Sequence, residues 1–181
     1  MKIYTRKGDD GTTGLLFGGR VAKNGPQPTA YGVVDEAQAF VGLARAEVEQ
    51  GSDLDNMLVH LERDLWVLMS ELASAPENRS KLTPGQSLVT ADMVTHLEHL
   101  IDQVTERFEP PTEFVVPGQS RLSALLDVAR TVVRRAERET IDASDESSHV
   151  LAYLNRLSDL LWTLARWQEG ESLTTRSVND Q

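Results

Sequence analysis

Apolar residues recur at intervals of three and four along most of this chain, and the clearest series begins at Leu54. Leucines occupy one side of a helix there, at positions 54, 58, 61, 65, 68 and 72. Four other segments carry the same period, and short polar connectors separate them. A helix with one apolar face must bury that face against another element. The pattern therefore predicts an all-α fold, a five-helix antiparallel bundle, in a single domain over residues 1–181.

The five predicted helices cover residues 30–50, 53–75, 90–108, 121–141 and 149–167. Thr29 and Ser52 are placed as N-caps, since a side-chain oxygen there can accept from a free N–H of the first turn. Trp66 is expected to be a packed indole, and His60 a surface or core-edge histidine. His96 and His99 lie three apart, but no third ligand is evident, so a metal site is not predicted.

Composition excludes several classes of function. The chain lacks cysteine, which removes disulfides, zinc–thiolate sites, iron–sulfur clusters and cysteine nucleophiles. Its net charge of −10 disfavours nucleic acid and anionic membranes as partners. No apolar run approaches the roughly 18 residues of a membrane span, and the first residues lack the apolar centre of a signal peptide. These features predict a cytoplasmic protein.

Arginines interrupt the apolar face of the segment 125–141. Arg130, Arg134 and Arg138 share one stripe of the predicted helix, with Glu137 alongside. Like charges one turn apart repel, so something must compensate them. A salt-bridged surface helix would do so. A bound polyphosphate would also do so, because the guanidinium fork binds phosphate oxygens in pairs. The pattern alone leaves both interpretations open.

Residues 1–29 show no helical period and include the glycine-rich stretch GDDGTTGLLFGG. Its first glycines and threonines are Gly8, Gly11, Thr12, Thr13 and Gly14. Glycine permits positive φ and close backbone approach to a ligand, and the threonines add hydroxyls. The stretch matches neither a Walker A motif nor GxGxxG. A flexible arm and an anion-binding loop that acts with Lys23 are both consistent with it.

Two further segments lack a helical pattern. Three prolines break the chain around Phe114-Val115-Val116, which is either buried under the bundle or exposed to an apolar ligand. Residues 168–181 are polar and are predicted to form a flexible tail.

Five segments together resemble the PduO-type ATP:cob(I)alamin adenosyltransferases. They are IYTRKGDDGTTGLLFGGRVAK, AYGVVDEAQAFVG, FVVPG, ARTVVRRAER and YLNRLSDLLW, and they follow one another in the family's order. The resemblance implies a homotrimer of five-helix bundles with ATP bound between subunits and Mg²⁺ as cofactor. The implied reaction transfers the 5′-deoxyadenosyl group of ATP to the cobalt of cob(I)alamin, giving adenosylcobalamin and triphosphate. A flavoprotein reductase and an adenosylcobalamin-dependent enzyme are the implied protein partners.

The resemblance also assigns site residues. Those implied to bind ATP are Thr5, Arg6, Lys7, Gly8, Thr13, Gly14, Lys23, Arg134, Arg135, Ala136, Glu137, Arg138 and Asn155. The implied catalytic residues are Arg130, Arg134 and Asp35, with Arg130 paired to Asp35 at a subunit boundary. Phe114 is implied to lie beneath the corrin, where it excludes the lower axial base. No residue is assigned to the metal.

The chain departs from the family pattern at a few positions. Arg6 stands where lysine is frequent, Gln119 where a second glycine is common, Asp127 where histidine is frequent and Trp162 where phenylalanine is usual. The tail lacks the aromatic residue that some members close over the corrin. An alternative function is therefore a non-catalytic module that delivers or senses ATP or adenosylcobalamin. A helical-bundle interaction protein is a third.

Overall fold

The computed structural model describes residues 2–180, which fold into a bundle of five α-helices preceded by a small β-hairpin. The helices are α1 (Pro26–Arg45), α2 (Asp53–Leu72), α3 (Ala91–Thr105), α4 (Arg121–Thr140) and α5 (Val150–Glu169). The antiparallel strands are β1 (Thr12–Gly14) and β2 (Arg20–Ala22). Short 3₁₀ helices cover Pro76–Lys81 and Ser177–Asp180. The predicted all-α bundle is confirmed.

The core follows the apolar period read from the sequence. Helix α1 packs against α2 and α4, and α5 packs against α3 and α4. Leu58, Leu61, Leu65 and Leu68 of α2 are fully buried. Each such leucine contributes about 1.5–3 kcal/mol relative to leaving it exposed, so the repeated leucines are what hold the bundle together. Among the described residues, no helix is both long and apolar enough to cross a bilayer.

The first helix begins earlier than predicted. Gly25 is its N-cap and Pro26 its first residue, so the prediction of Thr29 as the cap is wrong. Proline suits this position because its φ is already helical and the first N–H of a helix has no partner within it. The helix also ends at Arg45, short of the predicted residue 50, and the Arg45 Nε atom donates to Asp55 Oδ1 at 2.7 Å across the turn that follows. Ser52 caps α2 as predicted.

The interpretation of Trp66 as a packed indole is wrong, since its side chain is 63% exposed. Leu65 and Leu68 on either side of it are fully buried. At 100° per residue, position 66 falls on the outer side of α2. Nothing in the described residues covers this indole.

One buried carboxylate joins three parts of the chain at one end of the bundle. Glu71 is 4% exposed. Its Oε1 atom accepts from Ser148 Oγ at 2.6 Å and lies 2.8 Å from Arg79 Nη2. Its Oε2 atom accepts from the backbone N–H of Val89 at 2.7 Å. The end of α2, the 76–88 linker and the start of α5 are therefore held by a single side chain.

The segment after α5 lies against the connector before α4. Val116 N donates to the Leu173 carbonyl at 2.8 Å, and Thr175 N donates to the Phe114 carbonyl at 2.9 Å. Flexibility of the tail at 168–181 stays a prediction, and residue 181 lies outside the described residues. The hydrogen bonds give the tail a defined contact, which polar composition did not predict.

Candidate active site

The arginine helix α4 is fixed at its start by a reciprocal cap. Ser120 Oγ accepts from Ser123 N at 3.0 Å, and Ser123 Oγ accepts from Ser120 N at 3.2 Å. Leu126, Ala129 and Val133 are fully buried along its inner face. Since helical residues three and four apart share a face, this burial directs the arginine stripe to the edge of the bundle.

The structure brings the predicted nucleotide residues of α4 and α5 together. Asn155 Nδ2 donates to Glu137 Oε1 at 3.0 Å, which joins the two helices. Arg134 and Arg138 are exposed, and Arg138 Nη1 donates to the Arg134 carbonyl at 2.9 Å. Within the described residues no carboxylate forms an ion pair with either arginine. These two guanidinium groups are thus available to an anion.

Arg135 has a different environment from its neighbours. Its Nη2 atom lies 2.5 Å from Glu36 Oε2 of α1. Both side chains are about two-fifths exposed. The salt-bridge interpretation of the stripe thus fits Arg135, while the anion-binding interpretation fits Arg134 and Arg138.

The N-terminal loop, residues 2–25, is built around the β1–β2 hairpin. Phe17, Gly18 and Gly19 have φ values of 64°, 101° and 90° in the turn between the strands. Glycine adopts such values without strain, which is why the turn takes two of them in succession. Leu16 N donates to the Ala73 carbonyl at 2.8 Å, so the hairpin is attached to the end of α2.

A residue that the sequence analysis missed, Arg20, holds this loop in shape. Its Nε atom donates to Thr12 Oγ1 at 3.0 Å, and its Nη2 atom donates to the Lys7 carbonyl. Asp10 accepts from both the N–H and the hydroxyl of Thr12, and the hydroxyl bond is the main cause that lowers the pKa of Asp10. The Asp-x-Thr spacing is a recognisable turn signal, but nothing in the sequence pointed to Arg20.

Close approach, rather than positive φ, explains one predicted glycine. A β-carbon at Gly8 would lie 3.1 Å from Lys23 Nζ and 2.9 Å from the Thr12 carbonyl oxygen. Gly11 does have a positive φ, 80°, whereas Gly8 and Gly14 do not. Lys23 is exposed and forms no ion pair in the part of the chain described. Gly8 therefore makes room for the lysine amine beside the loop backbone.

Phe114 stands at a separate cavity of about 440 Å³. Its side chain is 86% exposed, so the prediction that this ring is buried under the bundle is wrong, and its exposure to an apolar ligand stays a prediction. The wall includes Val115, Trp162 and Arg130. The exposed ring and the open cavity beside it suit a large ligand with both apolar and polar groups.

A charged cluster forms the inner wall of this cavity. Asp127 Oδ1 accepts from Arg130 Nε at 3.1 Å, and Asp127 Oδ2 accepts from Arg166 Nη2 at 2.6 Å. Arg166 Nε also lies 2.9 Å from Glu169 Oε1. Asp35 is exposed on α1 and forms no ion pair with Arg130 within the described chain. The Asp35–Arg130 pair, predicted at a subunit boundary, is not formed within this chain and stays a prediction.

Two parts of the predicted ATP site, the N-terminal loop and the arginine stripe with Asn155, are not bonded to each other within the described chain. No hydrogen bond or ion pair among the described residues links the N-terminal loop to Arg134, Arg138 or Asn155. The described residues also hold no group of three or more His, Cys, Asp or Glu side chains arranged for a metal ion.

Comparison with known proteins places these features in a family. Residues 3–168 match the family model described as cobalamin adenosyltransferase. The corrinoid adenosyltransferase of Mycobacterium tuberculosis is 42% identical over 170 residues, which are 91% of this chain and 87% of that protein. The corrinoid adenosyltransferase PduO of Citrobacter freundii is 38% identical over 175 residues, 95% of this chain. The chain spans about half the length of that relative, 51%.

Solved structures agree with the sequence matches. A PduO-type ATP:corrinoid adenosyltransferase variant from Lactobacillus reuteri, complexed with cobalamin and ATP, superposes with a TM-score of 0.85. It is 30% identical, and the match covers 97% of each chain. An arginine-to-lysine variant of the Lactobacillus enzyme, complexed with ATP, superposes with a TM-score of 0.83 at 29% identity. The match covers 96% of this chain and all of that one. The chain belongs to the cobalamin adenosyltransferase family.

Proposed function

We propose that the chain transfers the 5′-deoxyadenosyl group of ATP to the cobalt of cob(I)alamin. The observation that carries the proposal is the pair of exposed guanidinium groups, Arg134 and Arg138, which lack an acidic partner in the described chain and lie on the helix that Asn155 joins. A triphosphate is the dense anion that such a pair would bind bidentately. We infer from membership of the family that the second substrate is a corrinoid.

In the reaction proposed, Co(I) attacks C5′ of ATP. A cobalt–carbon bond forms, the C5′–O bond breaks, and triphosphate leaves with the electron pair. Cob(I)alamin is already a strong nucleophile, so the protein need not activate it. What the protein supplies is alignment of C5′ with cobalt and stabilisation of the charge that grows on the leaving group.

The residues divide between these two tasks. We assign the triphosphate to Arg134, Arg138 and Lys23, and the loop backbone from Thr5 to Gly14 to the rest of the nucleotide. We assign Asn155 and Glu137 to the part of α4 and α5 that contacts the nucleotide. Phe114 is proposed to lie beneath the corrin, where an apolar ring excludes water and the lower base from cobalt.

The site is proposed to form between subunits of a homotrimer. Support comes from what one chain lacks: Asp35 and Arg130 do not meet within it, and the N-terminal loop has no bond to the arginine stripe in the described residues. Mg²⁺ is proposed to arrive with ATP, bound by phosphate oxygens, and no residue role depends on it. We propose the cytoplasm as the compartment and a flavoprotein reductase and an adenosylcobalamin-dependent enzyme as partners.

The test is an anaerobic spectral assay with ATP, Mg²⁺ and chemically reduced cobalamin. The expected result is loss of the Co(I) spectrum and appearance of the alkylcobalt spectrum, with stoichiometric triphosphate. Tight ATP binding without product under these conditions would identify a delivery or sensor module instead. Failure to bind ATP in calorimetry would leave a helical interaction protein.

A further inference from the structure

The cluster behind Phe114 is an alternating row of four charges. In order, they are Glu169, Arg166, Asp127 and Arg130, and each contacts the next. The side chains of Glu169 and Arg166 are 0% and 2% exposed, that of Asp127 is 7% exposed, and that of Arg130 is 26% exposed. The row therefore runs from the protein interior to the cavity wall and ends in the one member that reaches solvent.

Asp127 is the junction of this row. One carboxylate oxygen accepts from Arg166 and the other from Arg130, so both oxygens are used. Arg166 in turn lies against Glu169 and, at 5.9 Å, over the ring of Trp162, another cavity residue. A buried carboxylate with two charged hydrogen bonds has little freedom to move. Arg130, which Asp127 binds on the side of the cavity, is therefore held in one place.

Arg130 is bound by Asp127 through Nε alone. Its two terminal nitrogens have no hydrogen bond or ion pair in the described chain, although Arg130 lines the Phe114 cavity. A guanidinium group offers five N–H donors in a fixed fork, and anchoring Nε fixes the direction of the other four. The terminal nitrogens are thereby presented to an acceptor oxygen that the single chain does not supply.

We propose that Asp127 is a positioning residue, which holds Arg130 at the wall of the Phe114 cavity so that its terminal nitrogens meet an acceptor oxygen from outside the chain. This inference rests on the proposed function. The acceptor is either a carboxylate of a second copy, which the proposed function takes to be that of Asp35, or an amide or carboxyl oxygen of the corrinoid. The chemistry is the same in both cases, and the two sources give different experimental results.

The chain offers a matched control. Glu169 and Asp127 are both buried carboxylates bound to Arg166, but only Asp127 touches Arg130. Asp127→Asn and Glu169→Gln remove the same charge from the same row. If Asp127 served only to neutralise Arg166, the two variants would have the same kinetics. A positioning role requires that they differ.

The experiment measures adenosylation kinetics with each substrate varied, together with the mass in solution by sedimentation. We expect Asp127→Asn to lower kcat/KM for the corrinoid by about 10–100-fold. KM for ATP should stay within about twofold if the acceptor belongs to the corrinoid, and should rise if it belongs to a second copy, because the ATP sites are proposed to lie between subunits. Glu169→Gln should retain the wild-type kcat/KM, even if both variants melt at a lower temperature. A smaller mass for Asp127→Asn would assign the acceptor to a second copy, and an unchanged mass would assign it to the corrinoid.

A second variant keeps the proposal testable if Asp127→Asn does not fold. Arg130→Lys retains the charge and the Asp127–Arg166 pair, but one ammonium group cannot both bind Asp127 and project a fork. It should show the same loss for the corrinoid. Equal kinetics for Asp127→Asn and Glu169→Gln, or wild-type kinetics for Arg130→Lys, would overturn the proposal.

Failure of the proposed function would be recognised separately. A wild-type protein that forms no adenosylcobalamin would contradict the proposed activity. Equilibrium dialysis against cob(II)alamin and the sedimentation mass would then test whether Asp127 positions Arg130. Loss of either property in Asp127→Asn but not in Glu169→Gln would support the positioning role, and loss of neither would refute it.

Discussion

Arg134 receives the least electrostatic compensation of the arginines near the middle of α4. Arg130 has Asp127 and Arg135 has Glu36, whereas Arg134 has no acidic partner among the described residues. A side chain that the fold does not neutralise is the one whose removal should cost function rather than stability.

We expect Arg134→Ala to lower kcat for adenosylation by about 10²–10³-fold, the usual effect of removing one donor to a developing charge. The melting temperature should change little, because the side chain is exposed. Arg121→Ala on the same helix is the control, since Arg121 is 77% exposed and pairs with Glu47. Normal turnover by Arg134→Ala in the spectral assay would contradict the role given to the stripe.

Two buried carboxylates on α2 should respond to pH in opposite directions. Burial is the main cause that raises the pKa of Asp64 above its ordinary 3.8, and the hydrogen bond from Tyr153 only partly offsets it. For Asp55, the hydrogen bond from the Gly51 N–H and then that from Arg45 lower the pKa. The folded protein thus holds the Asp64 proton more tightly than the unfolded chain, and the Asp55 proton less tightly.

The free energy of unfolding of wild type should be compared with that of Asp64→Asn and Asp55→Asn between about pH 3 and pH 7. The Asp64 contribution should be fully present below 3.8 and be lost as pH rises through the raised value. The Asp55 contribution should be present above 3.8 and be lost as pH falls through the lowered value. Denaturant titrations at each pH measure both, and parallel pH dependence of the two variants would contradict the assignment.

Single residues also show which features could be predicted from the sequence and which could not. The stripe position of Arg134 followed from 100° per residue alone, because an exposed side chain depends only on its own helix. Trp66 was misplaced because an apolar residue type does not say whether a partner exists. The Asp127–Arg166 contact joins residues 39 apart, and no local pattern contains that information.

At the scale of elements, the connector before α4 and the tail after α5 depend on each other. Two backbone hydrogen bonds join them, and Arg176 Nη1 lies 3.0 Å from Glu113 Oε1 beside these bonds. Phe114, whose ring is exposed, is itself one of the bonded residues, through its carbonyl. The position of this ring is therefore set partly by a segment that is remote in sequence.

Thr175→Pro should loosen the connector, because proline lacks the N–H that bonds the Phe114 carbonyl. We expect faster amide exchange at residues 112–116 and a several-fold higher KM for the corrinoid, with KM for ATP unchanged. Thr174→Pro is the control, since the Thr174 N–H makes no backbone bond in the described structure. Equal exchange in the two variants would show that this bond does not hold the connector.

The presence of each helix could be predicted better than the residues at which it begins and ends. All five helices followed from the apolar period, because burial of one face is a property of the whole segment. Ends depend on single local residues, such as the proline at the start of α1. The β-hairpin was missed because strands of three residues are too short to show a period.

For the whole molecule, the proposed assembly explains why parts of the site do not meet. Sedimentation equilibrium should give three times the 20.1-kDa mass of the chain. Asp35→Ala should shift the mass towards single chains and reduce activity in proportion, because the proposed intersubunit pair to Arg130 is lost. Glu77→Ala, an exposed carboxylate in the 76–88 linker, is the control. A monomeric wild type with full activity would contradict the intersubunit site.

Less of the site than of the fold could be predicted from one sequence. The fold could be derived from pattern, and the arginine stripe from helical geometry. The nucleotide, the corrinoid and the Asp35–Arg130 pair came only from resemblance. A site proposed to lie between subunits leaves no periodicity in the chain, because its geometry is set by an assembly rather than by neighbouring residues.

The Glu71 contacts have a consequence for motion. Because Glu71 binds the linker and the start of α5 together, this end of the bundle should open as one cooperative unit rather than by separate fraying. The hairpin is attached to the same unit through the Leu16–Ala73 bond. Local unfolding there would carry the N-terminal loop with it, so how long the loop stays in place depends on how often the end of α2 opens.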